Sequence, residues 1–124
     1  MTTPAQGLAV IDGALCLLGA LGERARVHAP LATAVVEFRR GALCTYVREH
    51  PYGLLPGVPN LYCLDHENRM KWMAEWPVLD DPCGMIVDQA GDELVVTAVS
   101  GAEVRIEAAT GKLIQWAPVV AAAG

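Results

Sequence analysis

Apolar and polar residues alternate with a period of two along most of the chain, the pattern of half-buried β-strands. The clearest case is residues 69–76, "RMKWMAEW". There Met70, Trp72, Ala74 and Trp76 fall on one face, with mostly charged residues on the other. On a helix the same four residues would spread around the axis. This segment is therefore predicted to be a strand.

Residues 34–48, "AVVEFRRGALCTYVR", are predicted to form two strands joined by a turn at Arg40-Gly41. β-branched and aromatic residues dominate, as strands prefer. Strict alternation would place Val36 and Phe38 on one face of the first strand and Val35 on the other. Glycine accepts the positive φ that tight hairpin turns require.

Three more hairpins follow from the same alternation, separated by turn-forming residues. Their predicted strands are residues 61–64 and 69–76, 85–87 and 93–99, and 103–107 and 113–116. Together with residues 34–48, they predict an all-β fold. We expect an antiparallel meander of about eight strands in two packed or partly continuous sheets.

The N-terminal stretch "LAVIDGALCLL" has two interpretations. Asp12-Gly13 between apolar runs is typical of a two-residue hairpin turn. A short helix could instead begin with Asp12 as N-cap and end at Gly22. The hairpin is preferred, but residues 8–22 are apolar on all sides, so periodicity does not separate the two.

Two stretches repeat almost the same pattern: "NLYCLDHENRMKWMAEW" at residues 60–76 and "EVRIEAATGKLIQW" at residues 103–116. Each has a short strand, an acidic residue, a turn ending in Asn or Gly, a basic residue, a strand and a Trp. The acidic side chain can accept backbone N–H bonds within the turn. Trp72 and Trp116 are both expected to cover the inner face of their hairpin with a large apolar area.

These stretches resemble the outer hairpin of a pyrroloquinoline-quinone-type propeller blade, whose usual wording is "ALDAxTGKLLW". "IEAATGKLIQW" has one extra residue before the Trp, and "CLDHENRMKW" lacks one residue and carries Asn68 in place of Gly. Propellers typically contain 4–8 blades, and this chain has material for two. The resemblance, shared with small uncharacterised bacterial β-proteins, implies two blade-like sheets, not a complete propeller. It carries over no quinone or metal site and names no activity.

Length, composition and charge indicate how many domains the chain forms and which partners it can bind. The chain has 124 residues and 53% hydrophobic residues, which fits one folded domain over residues 1–124. Residues 1–7 and 118–124 are expected to be loose. The net charge is -5, and only Arg39-Arg40 are adjacent basic residues. Nucleic-acid binding needs clustered Lys and Arg, so no nucleic-acid partner is predicted.

The N-terminus lacks the positive region of a secretory signal, and Asp12 interrupts its apolar run. Residues 8–21 are also too short to span a bilayer. The four cysteines form no Cys-x-x-Cys pair; they are Cys16, Cys44, Cys63 and Cys83. A cytoplasmic protein with reduced thiols and no membrane association is predicted, although an even number of cysteines leaves disulfides open.

No catalytic residue, metal ligand set or cofactor is predicted. His50 and His66 could join nearby Cys and Asp residues at a metal, but they lie in a loop and a turn, and Cys63 is expected to pack as a small apolar residue. Cys83 is the thiol of most interest because "DDPCG" reads as a loop. Its acidic neighbours would raise the pKa of the thiol, whereas a nucleophile needs it lowered. Neither a calcium loop nor a phosphate-binding loop is present.

The candidate binding residues are Tyr52, Leu54 and Leu55 in the loop at residues 50–59, together with Trp76 as an exposed anchor. Three prolines and two glycines exclude regular structure from this loop. Its apolar residues either fold back on the core, which is the preferred interpretation, or are exposed for a partner. Aromatic residues are enriched at interaction hot spots. We therefore expect a non-enzymatic protein-interaction module, inhibitor- or immunity-like or an accessory subunit.

Its partner would be another protein or a second copy, and short sheet edges make a homodimer the expected form of self-association. The alternative is a small-molecule or metal-binding protein with weak hydrolase activity. That function would use the loops at residues 50–59 and 77–84.

Overall fold

A computed structural model describes residues 7–42 and 44–119 of the chain. The strands in chain order are β1 Gly7–Ile11, β2 Ala14–Leu18, β3 Arg24–His28, β4 Val35–Arg40, β5 Cys44–Glu49, β6 Leu61–Asp65, β7 Met70–Met73, β8 Cys83–Ala90, β9 Glu93–Ala98, β10 Glu103–Glu107 and β11 Leu113–Ala117. All strand pairs are antiparallel. The predicted all-β class is confirmed. None of the described residues forms a helix able to cross a membrane.

The strands form three meandering sheets: β1-β2-β3, β4-β5-β6-β7 and β8-β9-β10-β11. We call them the first, second and third sheets. They are blade-like, and none closes into a barrel or propeller. The count is eleven strands instead of about eight, because the N-terminal segment forms a sheet of its own. Its third strand, β3, begins with three exposed residues, "RAR", and charged side chains of this kind protect a sheet edge.

The N-terminal segment is a hairpin, so the helix alternative is wrong. Asp12 and Gly13 both have positive φ, 52° and 76°, as a type I′ turn requires. The carbonyl of Gly13 accepts the N–H of Val35 at 2.8 Å, which joins this turn to the start of β4. Gly7 belongs to β1 and is not loose; the other residues expected to be loose lie mainly outside the described ranges.

The second sheet lies between the other two, and β4 contacts both β1 and β8. Strand β6 shows the consequence, because Leu61, Tyr62, Cys63 and Leu64 are all buried. Leu61 and Cys63 face the third sheet in a larger core, while Tyr62 and Leu64 face the first sheet in a smaller core. Alternate residues of one strand therefore fill two separate cores.

A β-bulge between Val35 and Glu37 breaks the expected alternation in β4. Val35 is buried in the smaller core, and Phe38 packs against that core. Val36 is exposed instead. The prediction that Val36 and Phe38 share one face opposite Val35 is therefore wrong, because the bulge inserts an extra residue that strict alternation does not foresee.

The turns of the two repeated hairpins match the sequence prediction. Asn68 and Gly111, which end them, have positive φ of 63° and 79°. The Asp65 carboxylate accepts the backbone N–H groups of Glu67 at 2.8 Å and Arg69 at 3.0 Å. An acidic residue and a left-handed residue thus close the first of these turns as expected.

The two tryptophans of the repeat differ in burial. Trp72 is 7% exposed in the larger core, but Trp116 is 44% exposed, so the prediction that Trp116 seals a core is wrong. Trp72 is opposite Cys63 on β6, whereas Trp116 is opposite Val104 on β10. Val104 is buried in the larger core, and opposite residues of an antiparallel pair share a face, so Trp116 lies on the core-facing side of its sheet. It is exposed because it lies near the end of the edge strand β11.

Candidate functional site

Four loops lie at one end of the stacked sheets, which we call the loop end. They are residues 29–34, 50–60, 77–82 and 99–102. The tight turns at residues 66–69, 91–92 and 108–112 lie at the opposite end, which we call the turn end. Binding residues are often carried on loops that a rigid scaffold positions, so the loop end is the first place to look for a site.

Large apolar side chains are exposed on all four of these loops. Tyr52 is 66% exposed, Leu55 56% and Leu79 71%, and Leu31 and Val99 are also exposed. The rings of Tyr52 and His50 lie 5.6 Å apart between centroids. Leu54, the remaining predicted residue of the 50–60 loop, is half-buried. The structure therefore gives Tyr52 and Leu55 the exposure that binding requires.

Glu49 fixes the first loop to the second sheet. This residue ends β5 and is almost completely buried. Its two carboxylate oxygens accept three consecutive backbone N–H groups, those of Leu31 at 2.6 Å, Ala32 at 3.0 Å and Thr33 at 3.0 Å. Charge-assisted hydrogen bonds of this kind are among the strong ones. The backbone that carries the exposed Leu31 is therefore held in one place.

Tyr62 and His28 complete the surroundings of this carboxylate. The Tyr62 hydroxyl donates to Glu49 at 2.5 Å, and the Nε2 of His28 lies 2.5 Å from the same hydroxyl oxygen. Burial alone would raise the pKa of Glu49, but hydrogen bonds from Tyr62 and the 29–34 backbone bring it below its usual value. Burial lowers the pKa of His28, with Glu49 opposing. Because the protein's own donors occupy both carboxylate oxygens, this cluster anchors a loop and offers no free base.

Asn60 and Asp81 join the remaining loops. The Asn60 amide donates to the carbonyls of Glu49 at 2.9 Å and Cys83 at 2.8 Å, and its oxygen accepts the N–H of Cys83 at 2.9 Å. The Asp81 carboxylate accepts the N–H of Ser100 at 2.9 Å and the Ser100 hydroxyl. Buried or bridging polar side chains therefore hold all four loops in fixed relation.

Trp76 is not the exposed anchor expected from the sequence. It is half-buried against the larger core, and its indole N–H donates to the carbonyl of Asp81 at 2.7 Å. The exposed apolar residue of this region is Leu79, which the sequence analysis missed. The sequence does contain an indication of this exposure. Leu79 precedes two aspartates in a loop bounded by Pro77 and Pro82, and a leucine in such a loop is seldom part of the core.

The described residues include no group of three or more His, Cys, Asp or Glu arranged to hold a metal. Cys83 is the first residue of β8 and is fully buried, so it is not a loop thiol. Burial raises the pKa of Cys83 to about 12, so its thiol is protonated at neutral pH and is a poor nucleophile. All four cysteines are free.

The loop end thus combines exposed apolar side chains with a rigid backbone. Its four loops contain no Lys or Arg, and their acidic residues are Asp80 and Asp81. No protein-family model matches the chain, and no curated protein matches it in sequence. The chemistry of the loop end is therefore the basis for inferring a function.

Proposed function

We propose that the protein is a non-enzymatic interaction module that binds a protein partner through the loop end. The observation that carries this proposal is the exposure of Tyr52, Leu55 and Leu79 on loops that Asn60 and Asp81 hold in place. Clustered exposed apolar side chains mark interaction sites. A surface that is already ordered loses little conformational entropy on binding, so more of its contact energy appears as affinity.

The charges of the loop end indicate the kind of partner. Asp80 and Asp81 border the exposed Leu79, and no Lys or Arg lies in the four loops. A partner surface with an apolar centre and basic residues around it is complementary to this arrangement. Two copies of the loop end would bring like charges together. Self-association into a homodimer would instead use the edge strand β11, where Ile114 and Trp116 are exposed.

A small cytoplasmic protein with such a surface suits the role of an inhibitor- or immunity-like protein, or of an accessory subunit. In each case binding itself is the activity, since the partner's surface is covered or its structure completed. The proposal accordingly assigns no catalytic residue and no cofactor.

Affinity purification of the tagged chain from its native cells tests the proposal. The wild type should retain a partner in stoichiometric amount, and the variant Tyr52→Ser/Leu55→Ser/Leu79→Ser should lose it. The melting temperature should hardly change, because surface substitutions away from buried features have small effects on stability.

Leu21→Ser is the matched control, because Leu21 is 94% exposed but lies away from the loop end, between β2 and β3. This variant should retain the partner fully. The absence of any stoichiometric partner, or equal retention by the triple variant, would show that the loop end is not an interaction site. Leu79→Ser alone provides the same comparison with the smallest risk to folding.

A further inference from the structure

A cleft of about 500 Å³ opens at the turn end, between the second and third sheets. It is separate from the loop end, and its size lies in the usual range for small-molecule sites. The second sheet contributes Cys44, Tyr46 and Lys71, and the third contributes Gln89, Asp92 and Glu107. Clefts between packed layers are a common location for ligand sites.

The charged side chains of this cleft differ from those of the neighbouring 66–69 turn, where Arg69 pairs with Asp65 and Glu67. Lys71, Asp92 and Glu107 line one cavity, yet none of them forms an ion pair with another described residue. One positive and two negative groups therefore face the same space without neutralising one another.

The neutral polar groups of the cleft are fixed in place. The Tyr46 hydroxyl donates to the side-chain oxygen of Gln89 at 3.1 Å, and the Gln89 amide donates to the carbonyl of Gly91 at 3.1 Å. Burial raises the pKa of Tyr46, so its hydroxyl keeps its proton. Ala108 and Ala109 add small apolar surface. Hydrogen bonds therefore hold this part of the wall in place. The Glu107 carboxylate accepts the Thr110 hydroxyl at 2.7 Å through Oε1, which leaves its other oxygen for a ligand.

We propose that this cleft binds a small zwitterionic molecule of amino-acid size. The ligand's ammonium group would lie near Asp92 and Glu107, and its carboxylate near Lys71. A ligand with only one charge would leave the opposite charge of the cleft without a partner. A zwitterion satisfies both, and charge-assisted hydrogen bonds at each end orient it.

Backbone amide NMR of labelled protein tests this with the standard amino acids as probes. At least one of them should shift the amide signals of Gly91, Asp92, Ala108 and Ala109 in a saturable way. Asp92→Asn and Lys71→Gln should each weaken its binding roughly 10- to 100-fold, the usual effect of losing one hydrogen bond to a charged group. Analogues of the same amino acid without the amine or without the carboxylate should weaken binding to a similar degree.

Asp80→Asn and Lys112→Gln are the matched controls, because they remove the same charges outside the cleft and should leave the affinity unchanged. The proposal is overturned if no amino acid shifts these amides at millimolar concentration. It is also overturned if an analogue with one charge binds as tightly as the zwitterion. Because the loop end lies at the opposite end of the sheets, either result leaves the proposed protein interaction unaffected.

Discussion

Trp72 lies so close to Gly111 that a Cβ atom on residue 111 would be 2.6 Å from the indole ring. The indole N–H also donates to the carbonyl of Ala108 at 3.0 Å. The strand that ends the first repeated hairpin therefore docks on the turn of the second. The repeated hairpins are therefore in direct contact, and this contact joins β7 of the second sheet to the 108–112 turn of the third sheet.

Substituting Gly111→Ala should destabilise the protein strongly. The residue has φ of +79°, a conformation that side chains with a Cβ rarely adopt, and the new methyl group would overlap the Trp72 ring. Strain of each kind costs a few kcal/mol at most, and together we expect a loss on the order of 2–4 kcal/mol. Urea unfolding of wild type and variant measures the difference.

Gly57→Ala separates the two causes. Gly57 has a nearly identical φ of +75°, but nothing lies within 4 Å of a Cβ placed there. This control should therefore lose only the part due to backbone strain, about 1 kcal/mol. Equal losses in the two variants would mean that overlap with the Trp72 ring adds nothing to the cost of the Gly111 substitution.

Most hairpins were predictable because their signals are local. Alternation with period two indicated β6 and β7. The residue types at Asp12-Gly13 and Asn68 are those that tolerate a positive φ, which the structure shows at all three positions. The irregular loop that carries Tyr52 followed in the same way from its prolines and glycines, although the exposure of the Tyr52 side chain did not. Such features depend only on a few neighbouring residues, so one sequence is enough to find them.

Features that depend on register or distant partners were not predictable. Trp116 is exposed because it lies near the end of an edge strand, and the bulge at Val35 decides which side chains of β4 share a face. Glu49 reads as an exposed strand-end acid, but its partners lie 16–18 residues earlier in the chain. No pattern in the residues around Glu49 indicates that the 29–34 loop folds over its side chain. The side chains that anchor the loop end could therefore be identified only from the structure.

Glu49→Gln should loosen the 29–34 loop and lower stability. An amide NH₂ group cannot accept the N–H bonds that the carboxylate accepts, so at least one buried donor loses its partner. We expect a loss of roughly 2–4 kcal/mol near neutral pH, measured by urea unfolding. Amide hydrogen exchange should show faster exchange at Leu31, Ala32 and Thr33. Glu23→Gln, which changes an exposed carboxylate, should have little effect on either measurement.

The same carboxylate should contribute to acid sensitivity. The pKa of Glu49 in the folded protein lies below its usual 4.5. The unfolded chain therefore takes up this proton at a higher pH than the folded protein does. The stabilisation is complete above about pH 4.5 and is lost as the pH falls through the folded-state pKa. Glu49→Gln should show a shallower fall of unfolding free energy in this range, and an unchanged slope would contradict the assignment.

The tryptophans should differ in stability and in fluorescence. Trp72→Phe removes the bond to Ala108 and part of the larger core, so it should cost about 2–3 kcal/mol. Trp116→Phe should change stability by no more than about 0.5 kcal/mol, because Trp116 lies on an exposed edge. It should also remove much of the emission that acrylamide quenches in the native protein. Strong quenching that persists in Trp116→Phe would show that another tryptophan is the accessible one.

Cys44 should be the one thiol that reacts quickly in the native protein. It is half-buried beside the turn-end cleft, whereas Cys16, Cys63 and Cys83 are buried. Burial also raises the pKa of Cys63 and of Cys83 to about 12, which suppresses their reactive thiolate form. Timed alkylation followed by mass spectrometry should find one fast modification, absent in Cys44→Ser. All four cysteines should react at similar rates in denaturant, so fast native labelling at any other cysteine would contradict the burial described for the cores.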